Sequence, residues 1–130
     1  MDPLFLTLDE VLALHDDQIR RYGGSAGVRD LGLLQSAIGA VQATFDGSFL
    51  HETVFEMAAA YLFHVCRNHP FIDGNKRTGV AAALTFLEVN GVETKADEDE
   101  LYDLVIGVVG RKVTKADVAV FFQQNATLSS

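Results

Sequence analysis

Two apolar segments joined by a short polar stretch constrain the fold more than any other feature of this sequence. Residues 54–66 and 80–89, drawn as helices, carry apolar side chains on nearly every side. A helix that is apolar all round has to be buried among other elements. The sequence therefore predicts two central helices, the third and fourth of the chain, with the polar residues between them.

The polar stretch, residues 68–79, reads Asn-His-Pro-Phe-Ile-Asp-Gly-Asn-Lys-Arg-Thr-Gly. Pro70 disfavours helical geometry in the residue before it, so the third helix is expected to end near Asn68. The fourth helix is expected to begin at Gly74 or Asn75. The loop thus places a histidine, an acid, a glycine, an amide and two cations between two buried helices.

Four further helices are predicted from capping residues and apolar spacing. The first runs from Leu8 to about Tyr22, the second ends near Ala43, the fifth begins in the acidic residues 97–100, and the sixth follows Thr114. No segment shows sustained alternation. The predicted fold class is all-α: a single-domain six-helix bundle over residues 1–130 with a central motif helix.

The segments between these helices give weaker predictions. Asp-Gly at positions 46–47 favours a hairpin turn, so residues 44–52 are expected to form a small flap or an ordinary helix connection. Residues 92–94 are too short to assign. The tail from Asn125 is expected to be loose. The glycine-rich residues 23–29 are interpreted first as a flexible connector, and alternatively as a loop facing a ligand or partner.

Composition excludes several functions. The formal net charge of −8 opposes binding to phosphate backbones, so no nucleic-acid partner is expected. Cys66 is the only cysteine, which excludes an internal disulfide and fits a reducing compartment. No apolar run approaches the roughly 20 residues of a membrane span, and the N-terminus does not resemble a signal peptide. A cytoplasmic protein with no membrane association is expected.

The start of the fourth helix is predicted to bind an anion. The first N–H groups of a helix have no partner within it, and Gly74 allows a ligand to approach the backbone closely. Lys76 and Arg77 place two cations at the positive end of the helix dipole. That position costs about 0.3–1 kcal/mol for each cation unless an anion lies beside them. A polyphosphate would supply that anion.

The neighbouring polar side chains suggest group transfer. Asp73 is either an N-cap or a Mg²⁺ ligand beside phosphates, and Asn75 either binds phosphate or holds the loop. His69 lies outside regular structure, where it can accept a proton. The pattern matches neither a P-loop nor a zinc site. Phosphoryl or nucleotidyl transfer to a hydroxyl remains, and the other histidines, at 15, 51 and 64, are expected to be structural.

Residues 69–77, His-Pro-Phe-Ile-Asp-Gly-Asn-Lys-Arg, closely resemble the signature of Fic/Doc proteins. The resemblance extends to Leu14-His15, residues 20–24, Gly27 and Leu33-Leu34, which look like the N-terminal part of the Doc, or death-on-curing, branch. Lys76 replaces a glycine of the adenylylating Fic branch, and Val80 replaces its second arginine. Both differences are typical of Doc.

The resemblance implies a protein kinase reaction with ATP as phosphoryl donor and Mg²⁺ as cofactor. By analogy His69 is the base, Asp73 is the metal ligand and orients the base, and Asn75, Lys76 and Arg77 bind phosphate. The implied target is elongation factor Tu, modified on a threonine so that translation stops. The alternatives are a Fic-type AMP-transferase and a non-catalytic module that binds an antitoxin or a nucleotide.

The resemblance also implies a partner. Doc toxins belong to type II toxin–antitoxin systems, and this chain has no inhibitory Ser/Thr-x-x-x-Glu-Gly/Asn motif of its own. Inhibition is therefore expected from a separate Phd-like antitoxin whose helical tail fills a groove. The flap at residues 44–52 would align the target segment.

Overall fold

The computed structural model describes residues 2–128, which form six helices and two small sheets. The helices are α1 (Leu8–Tyr22), α2 (Leu31–Val41), α3 (Val54–Asn68), α4 (Asn75–Val89), α5 (Glu98–Val109) and α6 (Lys115–Gln124). The strands are β1 (Thr44–Phe45), β2 (Ser48–Phe49), β3 (Val92–Thr94) and β4 (Ala126–Leu128). The all-α fold class is confirmed. None of these helices combines the length and apolarity that a membrane crossing requires.

Helices α3 and α4 form the centre of the bundle, as predicted. α3 packs against α2, α4, α5 and α6, while α4 packs against α1, α3 and β3. Gly79 allows the two central helices to approach closely: a Cβ added there would lie 3.0 Å from Cys66 Sγ and 3.2 Å from the Leu62 carbonyl oxygen. Cys66 is a core residue, and burial raises the pKa of its thiol to about 12.

The helix starts lie where the capping residues predict them. Thr7, Thr53 and Thr114 each accept from a backbone N–H three residues later and complete a capping box with an acid. Asp97 caps α5 by accepting from two backbone N–H groups. Such caps are encoded within four residues, so the sequence alone is sufficient to locate them. Helix α2 ends at Val41, slightly before the predicted end near Ala43.

The hairpin predicted around the Asp-Gly turn is present. β1 and β2 pair antiparallel with Thr44 opposite Phe49 and Phe45 opposite Ser48. Asp46 and Gly47 both adopt positive φ, at 54° and 82°, which is the geometry that a two-residue turn between twisted strands requires. Phe45 at this hairpin is 76% exposed.

The expectation of a loose tail after Asn125 is wrong. Residues 126–128 form β4, which pairs antiparallel with β3 so that Val92 lies opposite Leu128 and Thr94 opposite Ala126. A strand of three residues has too few positions to show alternation, and its partner lies more than 30 residues away. The prediction therefore had no local signal from which to identify either strand.

Replacing Gly79 with valine should lower the free energy of unfolding by about 1–3 kcal/mol, because the added carbons overlap Cys66 and Leu62. Gly39→Ala is the matched control. Gly39 is also helical, but nothing lies within 4 Å of an added Cβ, so alanine should stabilise by about 0.5–1 kcal/mol. Urea denaturation measures both changes. A Gly79→Val protein as stable as the wild type would contradict the close α3–α4 contact.

Candidate active site

His69 ends α3 and presents its imidazole to solvent. It is the C-cap residue, in the left-handed conformation at φ 51° and ψ 53°, and its N–H donates to the Val65 carbonyl at 3.2 Å. Arg29 fixes this turn from outside: Nε donates to the His69 carbonyl at 2.8 Å and an Nη donates to the Asn68 carbonyl at 3.1 Å. The backbone is therefore held while the side chain stays accessible.

The inner side of the loop is anchored in the core by Phe71 and Asn75. Phe71 is fully buried, and Asn75 is 5% exposed. The Asn75 amide spans the backbone of Phe71: Oδ1 accepts from its N–H and Nδ2 donates to its carbonyl, both at 2.9 Å. Of the two roles predicted for this side chain, the structure gives it the role of holding the loop.

His15, on α1, supports the loop from beneath. Its ring stacks on Phe71 with centroids 3.8 Å apart and an interplanar angle of 5°. Its Nε2 lies 2.8 Å from the Asp73 carbonyl oxygen, so Nε2 carries the hydrogen and donates. The role is structural, as predicted, but its position directly under the loop was missed. Burial of Val11 and His15, four residues apart, marks the inward face of α1.

Asp73 turns its carboxylate towards solvent and keeps it ionised. Oδ2 accepts from Ser25 N–H at 3.2 Å and Oδ1 from Gly74 N–H at 2.9 Å. These two hydrogen bonds, and then the charges of Arg77 and Lys76, lower the pKa of Asp73. The N-cap alternative is wrong, since Gly74 is the N-cap of α4 and no side chain caps it.

The chemistry around Asp73 fits a magnesium ion. Each carboxylate oxygen accepts one hydrogen bond and retains lone-pair capacity. Between residues 2 and 128, no group of three or more acidic, histidine or cysteine side chains could hold a metal. Mg²⁺ commonly uses one or two carboxylates together with water and substrate phosphates. Asp73 would be a protein ligand of such an ion.

The start of α4 offers unpaired backbone donors. Gly74 adopts φ 77°, which favours glycine, and the first ordinary helical bond is that from Thr78 N–H to the Gly74 carbonyl at 2.9 Å. Within the part of the chain described, the N–H groups of residues 75–77 donate to no protein atom. This is the arrangement in which a helix start binds an anion.

The two cations of this turn differ in their contacts. Lys76 is exposed. The guanidinium of Arg77 donates to the Gly23 carbonyl at 3.1 Å and lies 5.4 Å from the centre of the Tyr22 ring. Neither forms a salt bridge with any residue from 2 to 128. Lys76 is thus free to bind phosphate, while Arg77 also connects the helix start to the end of α1.

The glycine-rich segment is fixed to the loop, so its interpretation as a flexible connector is wrong. Gly27 accepts from Ile72 N–H at 3.1 Å, and the Pro70 carbonyl accepts from Arg29 N–H at 2.7 Å. Gly24, at φ 114°, allows contact with the acid, because a Cβ there would lie 2.6 Å from an Asp73 oxygen. The alternative, a loop that faces the site, fits these contacts.

A groove of about 740 Å³ begins at Lys76 and Arg77 and extends between α1, α4 and α5. Its lining residues are Gln18, Tyr22, Lys76, Arg77, Val80, Ala81, Leu84, Thr85, Glu88, Glu98, Leu101, Tyr102 and Val105. Most of this lining is apolar, with cations at the loop end. The groove does not reach His69 or Asp73, so it adjoins the loop rather than containing it.

Comparison with known proteins agrees with this geometry. A family model described as Fic/DOC family matches residues 5–87, which include the whole loop. The chain is 41% identical over 111 residues to a protein named Protein kinase doc from Escherichia phage P1, covering 85% of this chain and 86% of that one. It is 49% identical over 78 residues to a protein named Toxin Doc from Mycolicibacterium smegmatis, covering 60% of each chain.

Replacing His15 with phenylalanine should loosen the loop while retaining an aromatic ring over Phe71. The Asp73 carbonyl loses its donor, so the free energy of unfolding should fall by about 1 kcal/mol. The amide hydrogens of Ser25 and Gly74, which bond the Asp73 carboxylate, should exchange faster with solvent deuterium. Unchanged exchange at both amides would show that His15 does not position Asp73. His15→Gln, which restores an N–H donor, should recover part of the protection.

Proposed function

The chain belongs to the Fic/DOC family, and on this premise we propose that it is a Doc-type toxin acting as a protein kinase. It transfers the γ-phosphoryl group of ATP to a serine or threonine hydroxyl of a target protein. The observation that carries the proposal is a single loop that combines an exposed His69, a helix start without a side-chain cap and an Asp73 carboxyl whose pKa is lowered.

The proposed reaction assigns one task to each group. The target hydroxyl loses its proton to His69, and its oxygen attacks the γ-phosphorus. The bond from that phosphorus to the bridging oxygen of the β-phosphate breaks, and ADP leaves. The free N–H groups of residues 75–77 and the cations at 76 and 77 bind the phosphate charge, and Gly74 supplies the turn that leaves those N–H groups open. Asp73 would hold Mg²⁺, which would neutralise further phosphate charge.

Transfer of the γ-phosphoryl group is favoured over transfer of AMP by two positions. Lys76 occupies the place of a glycine in the adenylylating branch, and Val80 occupies the place of that branch's second arginine. The Lys76 ammonium is exposed and has no salt-bridge partner in residues 2–128. The related phage protein is named a protein kinase, which agrees with this choice. Adenylylation remains the second candidate, and a non-catalytic binding module the third.

The proposed target is elongation factor Tu in the cytoplasm, and the consequence is arrest of translation. The exposed hairpin of β1 and β2 offers backbone edges and the 76% exposed Phe45 side chain to a target segment. An extended segment can pair with such an edge through main-chain hydrogen bonds. This target follows from the Fic/Doc resemblance, and the hairpin provides a surface for it.

The proposed partner is a Phd-like antitoxin that occupies the groove between α1, α4 and α5. Leu84, Leu101 and Val105 provide an apolar floor of the kind that accepts one face of an amphipathic helix. The groove ends at Lys76 and Arg77. A bound segment would therefore reach the cations that the proposed reaction needs.

Labelled ATP tests the reaction. The purified chain is incubated with Mg²⁺, elongation factor Tu and ATP labelled at either the α- or the γ-phosphate. Only γ-labelled ATP should label the target, and His69→Ala should reduce the rate of labelling by about 10²–10⁴-fold because the base is lost.

Chelation of Mg²⁺ should stop transfer of the γ-phosphoryl group. Lys76→Ala should reduce labelling strongly, whereas Lys95→Ala, an exposed lysine after β3, should not.

The position of the label separates the three candidates. Label from α-labelled ATP would identify an AMP-transferase. If neither nucleotide labels a protein, in a bacterial lysate or with the purified factor, the chain is a non-catalytic binding module. If γ-labelled ATP labels a different protein of the lysate, the kinase proposal stands and elongation factor Tu is excluded as the target.

Tyr102→Asp tests the antitoxin groove. Tyr102 lines the groove and is 64% exposed, so the substitution should leave folding intact while placing a charge in the apolar interface. Affinity for the antitoxin should fall by about 10- to 100-fold, as for an interface tyrosine of high energetic importance. Val120→Asp on α6, outside the groove and 50% exposed, is the matched control. Equal affinities in calorimetry would place the antitoxin elsewhere.

A further inference from the structure

A second group of basic side chains, separate from the loop, lies between α3 and the start of α6. Arg67 Cζ lies 5.1 Å from the centre of the Phe63 ring, and Lys115 Nζ, at the start of α6, lies 5.9 Å from it. His64 Nε2 accepts from Lys115 Nζ at 3.2 Å. The ring of Phe63 thus has two cations near it, both half-buried.

These cations have no carboxylate partner among residues 2–128. No salt bridge includes Arg67 or Lys115, and the Arg67 guanidinium makes no hydrogen bond to a described residue. Glu56 is close enough to influence the charge of His51, but its carboxylate accepts from Thr53 N–H in the α3 cap. Lys115 has His64 as its hydrogen-bond partner and Arg67 lies near the Phe63 ring, so both cations remain able to bind an anion.

His51 is buried close to this cluster. It is 7% exposed, a backbone hydrogen bond with Val41 acts on its ring, and so does the charge of Lys115. An imidazole that already has a protein partner needs no further ligand, so the anion is expected to contact the two cations.

The positive charge of this cluster comes from Arg67 and Lys115. Burial, followed by the charge of Lys115, lowers the pKa of His64 to about 4, and burial also lowers the pKa of His51. The two imidazoles are therefore neutral at pH 7 and can donate or accept a hydrogen bond. Burial also lowers the pKa of the Lys115 ammonium, which a bound carboxylate would stabilise in its charged form. Two cations beside a flat aromatic surface are suited to a carboxylate with an apolar stem.

The position of the cluster connects it with the target rather than with the nucleotide. Arg67 precedes His69 by two residues, and His51 follows the β1–β2 hairpin. Along the chain, the cluster therefore adjoins both the proposed base and the hairpin that is proposed to contact the target.

We propose that Arg67 and Lys115, beside the Phe63 ring and His64, bind an acidic segment of the protein substrate near the accepting hydroxyl. The proposal rests on the proposed kinase function for its location beside His69, but the binding of acidic peptide does not depend on catalysis. The chain carries a net charge of −8, so this site would attract carboxylates against the overall charge of the protein.

Peptide binding tests the site without catalysis. A fluorescent deca-glutamate peptide is titrated with the wild-type chain at low salt and followed by anisotropy. Arg67→Glu/Lys115→Glu should weaken binding by about tenfold or more, because two attractive charges become repulsive. Lys95→Glu combined with Lys112→Glu changes the net charge equally and should weaken binding by less than about threefold, as expected for exposed charges.

Enzyme kinetics then show whether the anion bound by Arg67 and Lys115 belongs to the target protein or to the nucleotide. In the γ-labelled ATP assay, the double variant should raise the KM for elongation factor Tu and leave the KM for ATP and target-independent ATP hydrolysis unchanged. An increase in the KM for ATP would reassign the cluster to nucleotide phosphate and overturn the proposal. Equal peptide affinities of the double variant and its control would also overturn it.

Misfolding and failure of the kinase proposal give distinct results. Arg67→Gln/Lys115→Gln removes charge without repulsion, and circular dichroism melting of each variant shows whether the fold is intact. A folded Gln variant with wild-type peptide affinity would contradict the site. If the wild type binds the peptide but labels no protein, the kinase proposal fails and the acidic-peptide site stands.

Discussion

The hydrogen bonds that hold the α3–α4 loop from its inner side are the constraint on which the rest of the site depends. Asn75 bonds both backbone groups of Phe71, and His15 donates to the Asp73 carbonyl while stacking on Phe71. These contacts satisfy both backbone groups of Phe71 and the Asp73 carbonyl. As a result, the outer side of the loop can keep an unpaired helix start without exposing the core.

This division separates supporting groups from the groups proposed to react, within a few residues of sequence. Phe71 and Asn75 are buried, whereas His69, Asp73 and Lys76 are exposed. The backbone turns sharply at both ends of the loop, where His69 and Gly74 adopt positive φ. In the proposed reaction, groups held on such a support would lose little freedom when substrate binds.

The sequence was sufficient to predict what is encoded locally. The capping residues at the helix starts, the hairpin turn, the limits of the central loop and the Fic/Doc resemblance all depend on neighbouring residues, and all are confirmed. What was missed depends on distant partners. His15 and Asp73 are 58 residues apart, and the contacts of Ser25 and Arg29 with the loop span similar distances. Periodicity and spacing carry no record of such contacts.

Charge placement relates the two proposed sites to one another. On a chain with a net charge of −8, two groups of cations without a salt bridge among residues 2–128 lie near α3 and α4: Lys76 with Arg77, and Arg67 with Lys115. Arg29, also without a salt bridge in that range, donates instead to the backbone of the loop. The first group adjoins free backbone N–H groups, which suit phosphate, and the second lies near an aromatic ring, which suits a carboxylate side chain. Under the two proposals, donor and acceptor are each recognised by the anion that they carry.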